Sequence, residues 1–230
     1  MKTGDGLWGN GVETARSIVF ILSVLFPIVN PLGGSPIFLS LTREYPTSER
    51  RSLSRRIAMN SFFLLIGSYF IGTYILAFFG ISLPVVQIGG GLIVISTGWL
   101  MLKQPDENER NEVKKNCESE DTYRDAFYPL TLPLTVGPGS ISVAITLGAN
   151  VKHEQGVILP SILAAIIGSL LIAISIFLCY GFADRLARIL GKTAMSVIMR
   201  LSSFLLICIG VQILWNGASQ LLASVPIRGR

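Results

Sequence analysis

The chain reads as an all-α membrane protein: six transmembrane helices forming two inverted three-helix repeats, with the first and fourth helices broken at Pro/Gly motifs. Three observations lead there. Of its 230 residues 50% are hydrophobic, only 14% are charged, and the mean hydropathy is +0.59. Charge-free stretches cover residues 17–42, 57–102, 126–151, 155–183 and 201–227, and a membrane-spanning helix needs roughly 20 apolar residues. Finally, Pro27-x-x-x-Pro31-Leu32-x-x-x-Pro36 recurs 102 residues later as Pro129-x-x-x-Pro133-Leu134-x-x-x-Pro138, which marks an internal duplication.

The first apolar segment follows a polar, Gly-rich opening without a small-x-small cleavage site, so it is expected to be retained as a span. Proline inside a helix removes a backbone donor and clashes with the preceding turn. Residues 17–26 therefore read as a half-helix, 27–35 as partly unwound, and 36–42 as a second half-helix started by Ser35 as cap and Pro36 at the first helical position. The stretch 57–102 is long enough for two spans, which Gly80-Ile81-Ser82-Leu83-Pro84 divides as a tight turn. Residues 103–125 carry eight acids and five bases and read as a flexible charged linker between repeats 1–102 and 126–230. The fourth segment repeats the break, with Gly137 as the expected cap before Pro138. Residues 155–183 and 201–227 supply the fifth and sixth spans.

Lys and Arg fall in alternate loops. Residues 43–56 hold five, 103–124 five and 185–200 four, whereas the 80–84 turn holds none and the 152–154 loop one. The positive-inside rule puts the basic loops in the cytoplasm and both chain ends on the other side. Each half then has three spans, so its copy must insert upside down. A rival arrangement folds both proline segments into re-entrant hairpins and leaves four spans. It places the basic 185–200 connection outside, which the charge rule disfavours. The third helices of the halves also match loosely, Gly90-Gly91 to Gly98 resembling Ser202-Ser203 to Gly210, small residues that allow close helix approach.

Paired Gly/Pro-interrupted spans in the two halves of a membrane protein point to a transporter's binding site. The candidate residues are Asn30, Pro31, Gly33, Gly34, Ser35 and Pro36 from the first break and Thr135, Gly137, Pro138, Gly139 and Ser140 from the second. Half-helix starts with free N–H groups favour an anion or carboxylate, and the four glycines let a small ligand reach the backbone. The two half-helix starts, from opposite halves, are expected to meet near mid-membrane and hold one solute between the broken helices, and such a pocket suits a small zwitterion or small anion. A kinked bundle whose polar groups satisfy one another, with no ligand, is the plain alternative.

All 14 Asp and Glu lie outside the charge-free stretches, so no acidic proton relay is available in the spans. The net charge of +5 is spread over short loops, which argues against a nucleic-acid partner. Cys117, Cys179 and Cys208 are widely spaced and His153 is the single histidine, so neither a metal nor another cofactor is expected. No buried base accompanies the serines of the spans, which argues against an enzyme. Arg200 reads as a snorkelling anchor, Gln87 and Gln212 as interhelical glue, and Trp99 and Trp215 as interfacial anchors.

Phe26-Pro27-Ile28-Val29-Asn30-Pro31-Leu32-Gly33-Gly34-Ser35-Pro36-Ile37-Phe38 resembles the first signature of the MarC family, also described as small neutral amino acid transporters, and 129–140 with its Gly-Pro-Gly resembles the second. Gly89-Gly90-Gly91-Leu92 and Arg200-Leu201 are similar to the starts of the family's third and sixth helices. The long charged linker and Gln87, where the resemblance implies a basic residue in many relatives, are departures. The resemblance implies six spans, a bacterial-type inner (plasma) membrane, and uptake or exchange of glycine- or alanine-like substrates. A structural or stress-related membrane protein without transport, and an exporter of amphipathic compounds, stand as alternative functions.

Overall fold

The computed structural model describes residues 5–43, 45–103, 126–128, 130–151 and 158–224. The linker 104–125, Pro129, Cys117, His153 and the loop 152–157 lie outside the described residues. Helix α1 is Asp5–Val29, α2 Pro31–Leu41, α3 Thr47–Phe78 and α4 Leu83–Leu102; a π-helical turn, Leu130–Thr135, precedes α5, Pro138–Val151, then α6 is Ile158–Gly181 and α7 Ala183–Ser224. Among the described residues five helical stretches are long and apolar enough to cross a membrane: Val12–Leu41, which includes the α1–α2 break, Thr47–Phe78, Leu83–Leu102, Pro160–Gly181 and Thr193–Ser224. Helix α5 falls short of that length, since 14 residues at about 1.5 Å each give about 21 Å against about 30 Å of hydrocarbon.

Both breaks fall on the residue before the second proline of the repeated motif. Asn30, before Pro31, is left-handed at φ 48°, ψ 58°, and Leu132, before Pro133, is extended at φ −108°, ψ 126°. The ring of a proline crowds the preceding residue out of the α conformation, and asparagine is one of the few residues that tolerates the left-handed alternative.

The first break is shorter than the sequence suggests. Helix α1 runs through Pro27 to Val29, only Asn30 leaves the helical region, and Gly33–Pro36 are already helical in α2. The cap is Asn30, whose Oδ1 accepts the Gly33 N–H at 3.1 Å, and not Ser35. With its cap two residues before Leu32 and Pro31 preset for a first turn, the helix restarts at once. The α3–α4 connection is the expected tight turn: Gly80 has φ 67°, and Ile81 N–H bonds back to Leu76 O at 2.9 Å. Helix α7 bends at Gly191, φ 70° and ψ 173°.

Backbone approaches fix the helix directions. Along α4 and α7, Pro84 meets Gly217, Gly91 meets Gly210 and Gly98 meets Ser203, so these two helices run antiparallel. Near the start of α3, Ser54 meets Gly181 at the end of α6, and Arg50, one turn earlier, pairs at 2.7 Å with Asp184 just beyond α6 at the head of α7, so α3 and α6 are again antiparallel. Helices α1 and α2 follow α6 in the same direction, Ile21 against Gly168 and Gly34 against Tyr180. Helix α5 opposes α4, through Gly139 against Val94 and Gln87 Nε2 to Thr146 Oγ1 at 3.5 Å. The glycine seam between α4 and α7 is tight: a Cβ on Gly91 would lie 2.7 Å from Gly210 O, and one on Gly98 2.9 Å from Ser203 O. Without side chains there, backbones pack directly, the usual source of helix association where no water drives it.

The core gathers Leu25, Ile28, Phe38, Leu53, Ile57, Leu65, Val136, Ile172, Ile176 and Tyr180 where α1, α2, α3, α5 and α6 meet. Large apolar side chains such as Phe63, Ile71, Phe78, Leu100 and Trp215 point outward and are exposed. Outward apolar faces on charge-free helices are stable in hydrocarbon and not in water.

Candidate functional site

The second break opens on a cavity of about 80 Å³. Thr135, Gly137, Pro138, Gly139 and Ser140 form one wall, Ile93, Val94 and Thr97 of α4 another, and Ile28, Pro133, Leu134 and Leu206 complete it. Thr135, Gly139 and Ser140 are buried, while Ile93 and Thr97 are exposed, so the cavity opens beside α4. Helix α5 begins here. Ile141 N–H bonds to Gly137 O at 3.1 Å, the first bond of the helix, which agrees with Gly137 as its cap. Pro138 has no N–H to offer, so Gly139 and Ser140 carry the first amides of the helix, the positive end of its dipole. No charged or aromatic residue belongs to the lining.

Asn30, Pro31, Gly33, Gly34, Ser35 and Pro36 do not line this cavity; the first proline segment contributes only Ile28 to it. Asn30 Oδ1 already occupies the Gly33 amide, and Asn30 Nδ2 is buried without a partner. Ser35, 1% exposed, donates its hydroxyl to Leu32 O at 2.8 Å. In a regular helix that carbonyl would take the N–H of residue 36, which is proline. The serine thus repairs the gap that Pro36 leaves. At the second break the Thr131 and Thr135 hydroxyls donate to Ala126 O at 2.6 Å and Leu130 O at 2.7 Å, each five residues back.

The two breaks are joined by a residue that sequence reasoning missed. Tyr180, on the last turn of α6, is 1% exposed, stacks on Phe38 of α2 with centroids 4.7 Å apart, and has its hydroxyl 3.1 Å from Thr135 Oγ1. The same hydroxyl lies where a Cβ on Gly34 would approach to 2.5 Å. The available signal was a lone phenol inside an apolar span, since a buried tyrosine hydroxyl needs a partner. Thr97 was also missed, being an ordinary span threonine in sequence.

The other polar span residues take structural places. Gln87, 5% exposed, bonds across to α5, as expected, but its Oε1 has no partner. Gln212 does not bridge helices; it donates to Asn216 Oδ1 on its own helix at 2.9 Å. Lys103 Nζ sits 4.9 Å from the ring centroid of Trp99 at the end of α4, which fits an interfacial anchor. Arg200 is exposed on α7. Among the described residues no group of three or more His, Cys, Asp or Glu could hold a metal ion.

Long charge-free helices with outward apolar faces, packed on glycine seams around two proline breaks, define a multi-pass integral membrane protein. The family model for "MarC family integral membrane protein" matches residues 15–222, and the chain belongs to the MarC family. It is 35% identical over 218 residues to the inner membrane protein MarC of Salmonella typhimurium, covering 92% of this chain and 98% of that one. The corresponding proteins of Citrobacter koseri and Escherichia coli are 33% and 31% identical, with the same coverage of both chains. The relatives are named as inner membrane proteins, which with the apolar helices makes this a multi-pass inner-membrane protein. No solved structure matches the chain.

Proposed function

We propose that this protein is a secondary transporter of a small zwitterionic or anionic solute, a small neutral amino acid in the first instance, bound beside the start of α5. The observation that carries the reading is the cavity at the second break. Its wall holds the opening turn of a helix, two glycines that leave the backbone within reach, and the hydroxyl-bearing Thr97, Thr135 and Ser140, with no charged side chain. A helix start favours a carboxylate. The volume lies well below the roughly 300–1,000 Å³ of sites for drug-sized ligands, which favours a small solute over a bulky amphipath. No bond-making step and no cofactor form part of the reading.

The topology we infer is six spans in two inverted repeats. Helices α3 and α6, and α4 and α7, hold equivalent places in the two halves and run antiparallel, as inverted copies must. The Arg50–Asp184 pair supports a common side for the basic 43–56 and 185–200 loops, whereas re-entrant hairpins would separate them. The charge rule makes that side cytoplasmic and puts both termini opposite.

The test is uptake of labelled alanine and glycine into proteoliposomes, with and without a sodium gradient; no uptake above empty vesicles overturns the amino acid reading. A structural role without transport is the second reading, favoured by the tight closure at Tyr180. It requires that Gly139→Leu alter folding only, whereas a transporter loses flux in normally inserted protein.

A further inference from the structure

Tyr180 heads the fully buried side chains by volume, and its position is unusual. One side chain, carried by α6, touches both broken segments: its ring stacks on Phe38 of α2 with planes 10° apart, and its hydroxyl reaches Thr135 at the end of the π turn. Thr135 has a single hydroxyl proton, which goes to Leu130 O. Tyr180 is therefore the donor in the pair, and Thr135 the acceptor. Gly34 is what makes room, because a side chain there would strike the phenol oxygen.

The placement along the bundle matters as much. Thr135 belongs to the cavity wall, so Tyr180 stands directly behind that wall. One helical turn further on, Asp184 pairs with Arg50 at 2.7 Å, with Arg51 and Arg185 flanking the Phe182 ring at 5.5 and 5.8 Å. Going from the cavity toward this basic end, the space between α2, the π turn and α6 is filled first by the Tyr180–Phe38 stack.

We propose that Tyr180 is the gate residue that separates the cavity from the end of the bundle bearing Arg50 and Asp184, and that this route opens when the ring leaves Phe38 and the hydroxyl leaves Thr135. The name gate rests on the transporter reading; the closure itself does not. A small solute passing this way would have to break one stack and one hydrogen bond, and the aperture exposed by a swung phenol would set the size limit.

The experiment is thiol labelling that needs no solute. In protein with Cys117, Cys179 and Cys208 replaced by serine, Ser140→Cys places a reporter in the cavity wall, and a membrane-impermeant methanethiosulfonate is applied from the side of Arg50. With Tyr180 intact, labelling is slow. Losing the hydrogen bond in Tyr180→Phe raises the rate about fivefold, and removing the ring in Tyr180→Leu or Tyr180→Ala raises it by at least about tenfold. Reagent applied from the opposite side labels all variants equally. The proposal is overturned if whichever truncation remains monodisperse in gel filtration labels no faster than the parent, or if the parent already labels rapidly from the Arg50 side. Faster labelling without any alanine or glycine flux upholds the gate and sinks the amino acid reading; flux with unchanged labelling sinks the gate alone.

Discussion

Replacing Asn30 by alanine and by glycine separates two effects that one side chain combines. At φ 48°, ψ 58° an ordinary L-residue pays about 1–2 kcal/mol that asparagine largely avoids. The same residue caps α2 through Oδ1 at 3.1 Å from the Gly33 nitrogen, worth about 1 kcal/mol. Both substitutions delete the cap, and in hydrocarbon no water replaces it. Both also delete the buried Nδ2 that has no partner, so that contribution cancels in the comparison. What differs is the backbone. Alanine carries the left-handed penalty and glycine does not, although glycine gives back roughly 0.5–1 kcal/mol in chain entropy. Asn30→Ala is therefore less stable than Asn30→Gly by about 1 kcal/mol, a factor of about five in the unfolding equilibrium. Denaturant titration of detergent-solubilised protein, followed by circular dichroism, measures the difference. Equal stabilities, or a less stable glycine variant, would refute the account of the break.

Ser35→Ala leaves Leu32 O without its donor and destabilises by about 1–2 kcal/mol, yet in a Pro36→Ala background the restored N–H serves that carbonyl and the serine matters less; a double-mutant cycle in the same titration reads the coupling. Gly91→Ala drives a Cβ into Gly210 O and the Leu214 nitrogen and should abolish stable protein, whereas Gly89→Ala, with nothing within 4 Å, is tolerated; expression and gel filtration distinguish them. The Arg50–Asp184 pair is partly exposed, at 15% and 37%, so Asp184→Asn changes stability by no more than about 1 kcal/mol, and the exchanged pair Arg50→Asp with Asp184→Arg recovers the parent melting temperature. Single cysteines at Arg50 and His153 label from opposite faces of the membrane under the six-span reading; labelling from one face would bring back the re-entrant arrangement.

Five of the six expected spans and the proline breaks were legible because both depend on local chemistry: runs of uncharged residues, and a ring that bars its predecessor from the helix. At the second break only the restart was legible, as Gly137 precedes the helix that Pro138 begins; the kink itself lies at Leu132, inside a π turn that residue spacing does not reveal. The first was read too broadly, since sequence spacing does not reveal that Asn30 can turn left-handed and cap in one residue, leaving Gly33 and Gly34 free to be helical. Tyr180 was illegible for a different reason. It lies 42 or more residues from every partner it touches, and only tertiary packing brings α6 against both breaks. Gln212 shows the limit of reading glue from polarity, for its nearest acceptor was four residues away on its own helix.

The joints at Asn30 and Leu132 share a register but not a chemistry: one is polar and left-handed, the other aliphatic and extended. Under the transporter reading proposed above, two hinges so unlike would give the two inclinations of the halves different energies, and a solute would reverse that bias only by gripping the rarer posture more tightly.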